Sequence, residues 1–218
     1  GSNPDKIYTK DYQAGALSFE IFSNDKKLIS NSGYYPDTKN RLNKLSKSTA
    51  LQNTLSIEDY SSSDFIKSSN NFLIQKDLKI ENKNIVFEKN YWKISASHNG
   101  YFKKFKLDHH REIEFYPEQF KFIGHDKIVR KDPDKQIKFD IRFHLHPDSK
   151  VMKTQNSKFI LIQLEDEGWQ FSCDNYDINI DNGLYFGNKN SYQENQNIFI
   201  SGMNNESEQI IRWEIIKI

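Results

Sequence analysis

Cysteine is almost missing from this chain: Cys173 stands alone among 218 residues. An internal disulfide is therefore excluded, and the redox compartment is left open. No run approaches the ~18 consecutive apolar residues of a membrane-spanning helix. No secretory leader is legible at the start, where Gly1-Ser2-Asn3-Pro4 reads as an expression scar. Net charge is scarce too, with 31 basic residues against 30 acidic ones and a balance of +1. That balance gives no support to nucleic-acid binding, which normally brings a net basic domain. It also means that holding an acidic polymer requires a local basic patch. Hydrophobic residues make up 36% of the chain, below the roughly 45–50% of an average globular domain, so the core is expected to be thin and spread out.

Aromatic residues and alternation are what the chain does have. It carries 16 Phe, 11 Tyr and 3 Trp, and each large ring can bury about 150–250 Å². Polar and apolar residues alternate with period two from end to end, the primary strand signal. Strands are predicted at 16–22, 51–57, 72–80, 84–88, 91–98, 110–116 and 119–129, then at 137–146, 158–164, 168–173, 177–181, 195–201 and 209–217. Asn24-Asp25 before Lys26-Lys27-Leu28-Ile29 suits a hairpin, and Asn99-Gly100 favours a type I′ turn. The polar, basic stretch 36–49 reads as a loop with one helical turn, and 61–64 and 67–71 as loops. No stretch qualifies as an interdomain linker, and no internal repeat is visible. The expected fold is all-β, a large antiparallel β-sandwich of stacked sheets with little helix. It forms one domain at 11–218 after a scar and tail at 1–10.

Several groups of residues carry chemistry. Strand periodicity puts Arg142, His144 and His146 on one face, with Phe143 and Leu145 on the other. His-x-His on a strand is a metal-ligand spacing, with Asp148 as a further donor, and a neighbouring Arg can grip a carboxylate or sulfate through two bonds. The alternative is that these residues bond across strands and anchor a nearby loop. His98 and Tyr101 belong either to a hairpin or to a rim facing substrate. His109 and His110 are adjacent and so point to opposite faces, while His125 reads as a strand-edge residue with a surface or structural role. Arg41, Lys44 and Lys47 beside Tyr34 and Tyr35 make a basic patch with rings suited to an acidic sugar, or else a solvated loop. Trp92, Trp169 and Trp213 read as core. Cys173 lacks the partners of a nucleophile.

A string of short landmarks runs along nearly the whole chain. They include Gln13-Ala14-Gly15-Ala16-Leu17-Ser18-Phe19-Glu20, Asn31-Ser32-Gly33-Tyr34, Ser48-Thr49-Ala50 and Ser97-His98-Asn99-Gly100-Tyr101. Arg142-Phe143-His144-Leu145-His146-Pro147, Trp169-Gln170-Phe171, Tyr185-Phe186-Gly187 and Ile211-Arg212-Trp213-Glu214 complete the order. In sequence and spacing this resembles the C-terminal β-sandwich region of the heparinase II/III-like polysaccharide lyases. The resemblance implies an N-terminal (α/α) toroid elsewhere in the protein, an acidic polysaccharide as partner, glycosaminoglycans among the candidates, and a periplasmic or envelope-associated setting. It also implies β-elimination at a uronic acid, which needs neutralisation of the carboxylate, a base at C5 and an acid for the leaving oxygen. In the family much of that machinery comes from the toroid, so the isolated chain is expected to be inactive. By the same resemblance Asp11 falls where some members carry a catalytic histidine. Gln13, Asn31 and Gln52 fall where histidine, aspartate and histidine would hold zinc. Three neutral amides are poor zinc ligands, so the implied site is expected to be lost and no cofactor to be bound. The amides are expected to form a hydrogen-bond network in its place. A non-catalytic carbohydrate-binding or scaffolding module is the alternative reading.

Overall fold

The computed structural model describes residues 11–68, 71–74, 78–155, 158–187 and 191–218. The tail expected at 1–10, the middle of the loop expected at 67–71 and part of the strand expected at 72–80 lie outside them. Every strand pairing is antiparallel. Two sheets carry the fold. The larger has eight strands in the order β11-β12-β13-β16-β9-β8-β7-β6. These are β11 (Lys150–Lys153), β12 (Phe159–Leu164), β13 (Glu167–Cys173), β16 (Glu208–Lys217), β9 (Lys121–Arg130), β8 (Leu107–Tyr116), β7 (Tyr91–His98) and β6 (Ile80–Glu88). The smaller sheet runs β14 (Ile178–Tyr185), β15 (Gln193–Asn204), β10 (Ile137–His144) and β3 (Leu55–Ile57). Two hairpins, β1–β2 (Ile21–Ser23, Lys26–Ile29) and β4–β5 (Phe65–Ser68, Asn71–Ile74), stand apart from both. The expected all-β sandwich is what forms.

The core lies between the inner faces of the two sheets, and the alternation in sequence builds it. Phe139, Ile141 and Phe143 of β10 and Ile198 and Ile200 of β15 face Phe171 of β13 and Ile211, Trp213 and Ile215 of β16, all buried. Phe143 meets Trp213 edge-on at 4.9 Å and Phe171 at 4.8 Å between ring centres. Trp169 and Trp213 are core as expected, but Trp92 is 40% exposed. It sits near the end of the large sheet that the smaller sheet does not cover.

Several local expectations change. The strand expected at 16–22 forms only from Ile21, because side chains of other elements take the backbone groups before it. Thr54 Oγ1 donates to the Ala16 carbonyl at 2.8 Å, Asn53 Nδ2 to Phe19 at 2.9 Å and Arg111 Nη1 to Leu17 at 3.0 Å. Leu17 also adopts a positive φ of 58°, which breaks the extended run. The Asn24-Asp25 turn forms as expected, with φ of 45° and 63°. Asn99-Gly100 makes no tight hairpin: β7 and β8 are joined through a helical turn, α2 (Phe102–Phe105). The buried Tyr101 hydroxyl donates to the Leu55 carbonyl at 2.8 Å, and that anchor sets the connection's path. Residues 51–54 belong to a short 3-10 turn and loop rather than a strand, and the strand expected to reach 146 stops at His144. The stretch 36–49 contains α1 (Arg41–Ser46), capped by Asn40 Oδ1 accepting from Leu42 N. Strands β4 and β11 were not expected. His125 lies on β9 inside the large sheet, not at an edge.

One buried polar network crosses this core. Asp126 on β9 is fully enclosed and accepts four bonds. Arg111 grips it through Nε (2.8 Å) and Nη2 (2.9 Å), His109 Nε2 donates at 2.6 Å, and Trp213 Nε1 donates at 2.8 Å. Burial opposes the carboxylate charge, yet the Arg111 charge and the His109 bond outweigh it and hold the carboxyl well below the usual carboxylate range. Because a carboxylate only accepts, His109 carries its proton on Nε2, so Nδ1 accepts from His98 Nε2 at 3.1 Å. His98 Nδ1 in turn accepts the Gly100 N–H at 3.1 Å. Burial pushes both imidazoles below their ordinary pKa. Arg111 Nη1 then reaches out of the sheet to the carbonyls of Leu17 and Asn53. Two segments lacking long strands are thereby tied to the large sheet.

Two substitutions test this arrangement by urea or guanidinium unfolding. Asp126→Asn leaves Arg111 as an uncompensated buried charge and is expected to cost about 3–5 kcal/mol. Gly124→Ala places a methyl 2.0 Å from the Trp213 ring and is expected to cost about 1–3 kcal/mol or more through displaced packing. A midpoint unchanged in either variant contradicts the account.

Candidate functional site

The segment 11–22 and the loop 30–54 meet over one end of the sandwich, and most of the singled-out residues gather there. Gln52 Nε2 donates to Gln13 Oε1 at 2.9 Å, and Gln52 is buried. Asn31 makes different bonds: its backbone N–H donates to Glu20 Oε1 at 3.0 Å, and its Oδ1 accepts from the Asn53 N–H at 2.9 Å. The Asn53 side chain joins this lattice to β10, accepting the His144 N–H at 2.6 Å. Of the three amides expected to form one network, Gln13 and Gln52 bond to each other, while Asn31 bonds to neither and accepts instead from the Asn53 backbone. As a zinc cage the set does not fit. Its donors are neutral amides, Gln13 and Gln52 bonded to each other and Asn31 engaged elsewhere, and among the described residues no group of three His, Cys, Asp or Glu side chains converges to hold a metal.

His144 is buried against this loop. Its Nε2 donates to the Ala50 carbonyl at 2.9 Å, leaving Nδ1 to accept from Ser32 Oγ at 3.2 Å. Burial pushes its pKa down to about 4, so it is a neutral loop anchor with both nitrogens engaged. Arg142 lies apart from it, donating to Asn197 Oδ1 at 2.8 Å, 3.6 Å from Asp181 and over the Phe199 ring. His146 falls beyond the strand end, 3.4 Å from Asp148 and packed on Tyr185. The three residues expected on one face thus form no common site: Arg142 is engaged by β15, His144 by the loop at Ser32 and Ala50, and His146 lies past the end of β10.

His98 and Tyr101 are both buried, which corrects the expected rim. His98 is the outer link of the Asp126 network, and burial raises the Tyr101 hydroxyl far above its ordinary pKa. Neither faces solvent. His109 and His110 do take opposite faces, the first enclosed and the second half-buried.

The expected basic and aromatic patch survives in altered form. Arg41 and Lys44 are exposed on α1. Lys47 is buried, its ammonium 5.7 Å from the Tyr34 ring centre and 5.8 Å from that of Phe65. Burial lowers the Lys47 pKa, against the pull of the Asp11 charge. Burial also raises the Tyr34 hydroxyl, which accepts from Asn43 Nδ2 at 3.0 Å, and that amide also donates to the Tyr35 carbonyl at 2.7 Å. Tyr35 packs edge-on against Phe186. Asp11, Tyr34 and Lys47 are brought together, so a carboxylate, a phenol and an ammonium lie close to one another. Tyr12, its hydroxyl raised by burial, also belongs to this end and was missed, since a lone tyrosine carries no sequence signal. Cys173 is pushed up to about 12 by burial, consistent with an inert thiol.

Known proteins match this chain along almost all of its length. The family model described as heparinase II/III-like, C-terminal, covers residues 1–214. FtsZ-localized protein C of Caulobacter vibrioides is 25% identical over 94% of the chain. The heparan sulfate lyase HepC of Pedobacter heparinus superposes on 94% of the chain with a TM-score of 0.74 at 13% identity. The BT4657 heparinase III superposes on 94% with a TM-score of 0.70 at 15% identity. These structural likenesses speak for the fold. The chain spans 37% of the Caulobacter protein and 30% of each lyase. A sandwich of this topology, carrying the family pattern from end to end, belongs to the heparinase II/III-like C-terminal domain family.

Proposed function

We propose that this domain serves as the rigid β-sandwich of a larger heparinase II/III-like protein acting on a uronic-acid polysaccharide. It contacts the acidic chain at the loop end and supplies no proton-transfer group of its own. The Gln13–Gln52 pair carries this reading. Where the family resemblance implies metal-binding side chains, this chain has amides that neither titrate nor bind zinc well. The histidines nearest that end are fixed as neutral links, with both ring nitrogens engaged. Base and acid for β-elimination then come from the preceding helical toroid that the resemblance implies. Arg41 and Lys44, with Tyr34 and Tyr35 beside them, supply cations and rings for the carboxylates and faces of an acidic sugar.

A second reading, a non-catalytic carbohydrate-binding or scaffolding module, is favoured by one observation. The Caulobacter relative, alike over 94% of this chain, is named for its localisation with FtsZ rather than for cleavage. An envelope-associated role suits either reading.

Both readings expect the isolated chain, purified without chelator, to hold far less than one zinc. Both also expect no unsaturated uronate, followed by its ultraviolet absorbance, from heparan sulfate, alginate or chondroitin sulfate. Near-stoichiometric zinc or a rising absorbance overturns the proposal. A longer protein that joins this domain to its toroid separates the two readings: elimination activity supports the first, and binding alone supports the second.

A further inference from the structure

Strand β6 ends the large sheet, and among the described residues no strand pairs with its outer side. Its inward-facing side chains are unusually apolar for an edge. Ile85 is 73% and Phe87 74% exposed, next to Ile94 at 54% on β7. Phe87 begins a ladder of rings that crosses the sheet toward the core. It stacks on Trp92 at 4.9 Å, Trp92 meets Phe115 at 5.1 Å, and Phe115 stacks on Phe122 at 4.4 Å. With Phe19 and Phe22 opposite, these rings wall an open cleft of about 580 Å³. A sugar needs polar partners as well as rings. The two charged groups at the margin are already paired, Glu20 with Lys27 at 3.2 Å and Lys93 with Glu112 at 3.3 Å. The cleft is suited to apolar side chains.

An edge strand with open backbone groups and an apolar flank is a template for pairing with another strand. Here half of that edge is blunted. The ladder with β7 slips between Glu81 and Asn84, and Asn82 takes a positive φ of 52°, so a bulge removes the first part of β6 from regular pairing. The residues from 84 to 88 stay in register with β7. This five-residue stretch is complementary to itself when run antiparallel about Val86. Ile85 then faces Phe87 of the other copy on the inner side, twice by symmetry. On the outer side Val86 meets its own image, and Asn84, an amide, meets the Glu88 carboxylate. Lys83 and Lys89, which would oppose each other, lie in the bulge and in the turn outside the regular stretch.

We infer that this chain self-associates through β6, two copies joining their large sheets edge to edge about Val86. The pairing satisfies open backbone groups on both copies. It also shields the Phe87 and Ile85 side chains that now face water. The interface is isologous, as a two-fold pairing requires.

Sedimentation equilibrium and light scattering on the full chain test this, with expected dimerisation that increases with concentration. I85K and F87E alter side chains that are about three-quarters exposed, so circular dichroism should show the fold retained. Each alone is expected to weaken dimerisation at least about tenfold. An equimolar mixture of the two is expected to recover it, because one new pair is then Lys opposite Glu and the other stays native. A chain that is monomeric at every accessible concentration overturns the inference. So does a mixture no better than its components, or a dimer that both variants leave undiminished.

Discussion

Among the described residues Asp126 is the only fully enclosed carboxylate; four donors from two neighbouring strands converge on it, and the rest of the structure is arranged around it. A buried charge of this kind is costly unless it is paired and its lone pairs are filled. The bidentate Arg111 grip, with His109 and Trp213, fills them. Trp213 approaches closely enough only because Gly124 lacks a side chain. The remaining guanidinium nitrogen holds Leu17 and Asn53, and through Asn53 the lattice continues to Asn31, Phe19 and His144. Residues 11–54 contribute only short strands, so these side-chain bonds add to the few backbone bonds and the buried Ile21, Leu28 and Ile29 that hold the segment. The site end of the molecule is held from inside the sheet.

Much of the fold was legible in the sequence because period-two alternation is imposed locally by the pleat. β7, β12, β13 and β16 lie within two residues of their expected limits. The misreadings occur where tertiary bonds replace the ladder. Ala16 to Glu20 alternates like a strand, but its carbonyls bind side chains from 53, 54 and 111, and no period in the sequence records that. Asn99-Gly100 carries a strong turn signal that the buried Tyr101 anchor overrides. Trp92 looked like core because periodicity cannot say how far the covering sheet extends.

The candidate site was legible in part. The amide substitutions at 13, 31 and 52 were readable as chemistry, but their division into two separate contacts required coordinates. Arg142, His144 and His146 share parity, yet the strand stops at His144, and parity says nothing of strand length. Lys47 reads as a surface cation beside Arg41 and Lys44, while its burial between two rings comes from the meeting of distant segments. Asp126 was missed altogether. One acidic residue in an alternating strand looks like any solvent-facing residue until Arg111, His109 and Trp213 are seen to converge on it.

Bonds that start from the buried Asp126–Arg111 ion pair thus hold the end of the scaffold where the side chains of Gln13, Asn31 and Gln52 lie. The most direct test is nitrogen-15 and proton NMR of the histidine rings as a function of pH. The account predicts that His109 and His98 are neutral, with the proton on Nε2 and strongly slowed exchange, and that neither titrates near its ordinary pKa of about 6.5. A His109 ring that protonates in that range, or carries its proton on Nδ1, would contradict the Asp126-centred network on which the structure is built.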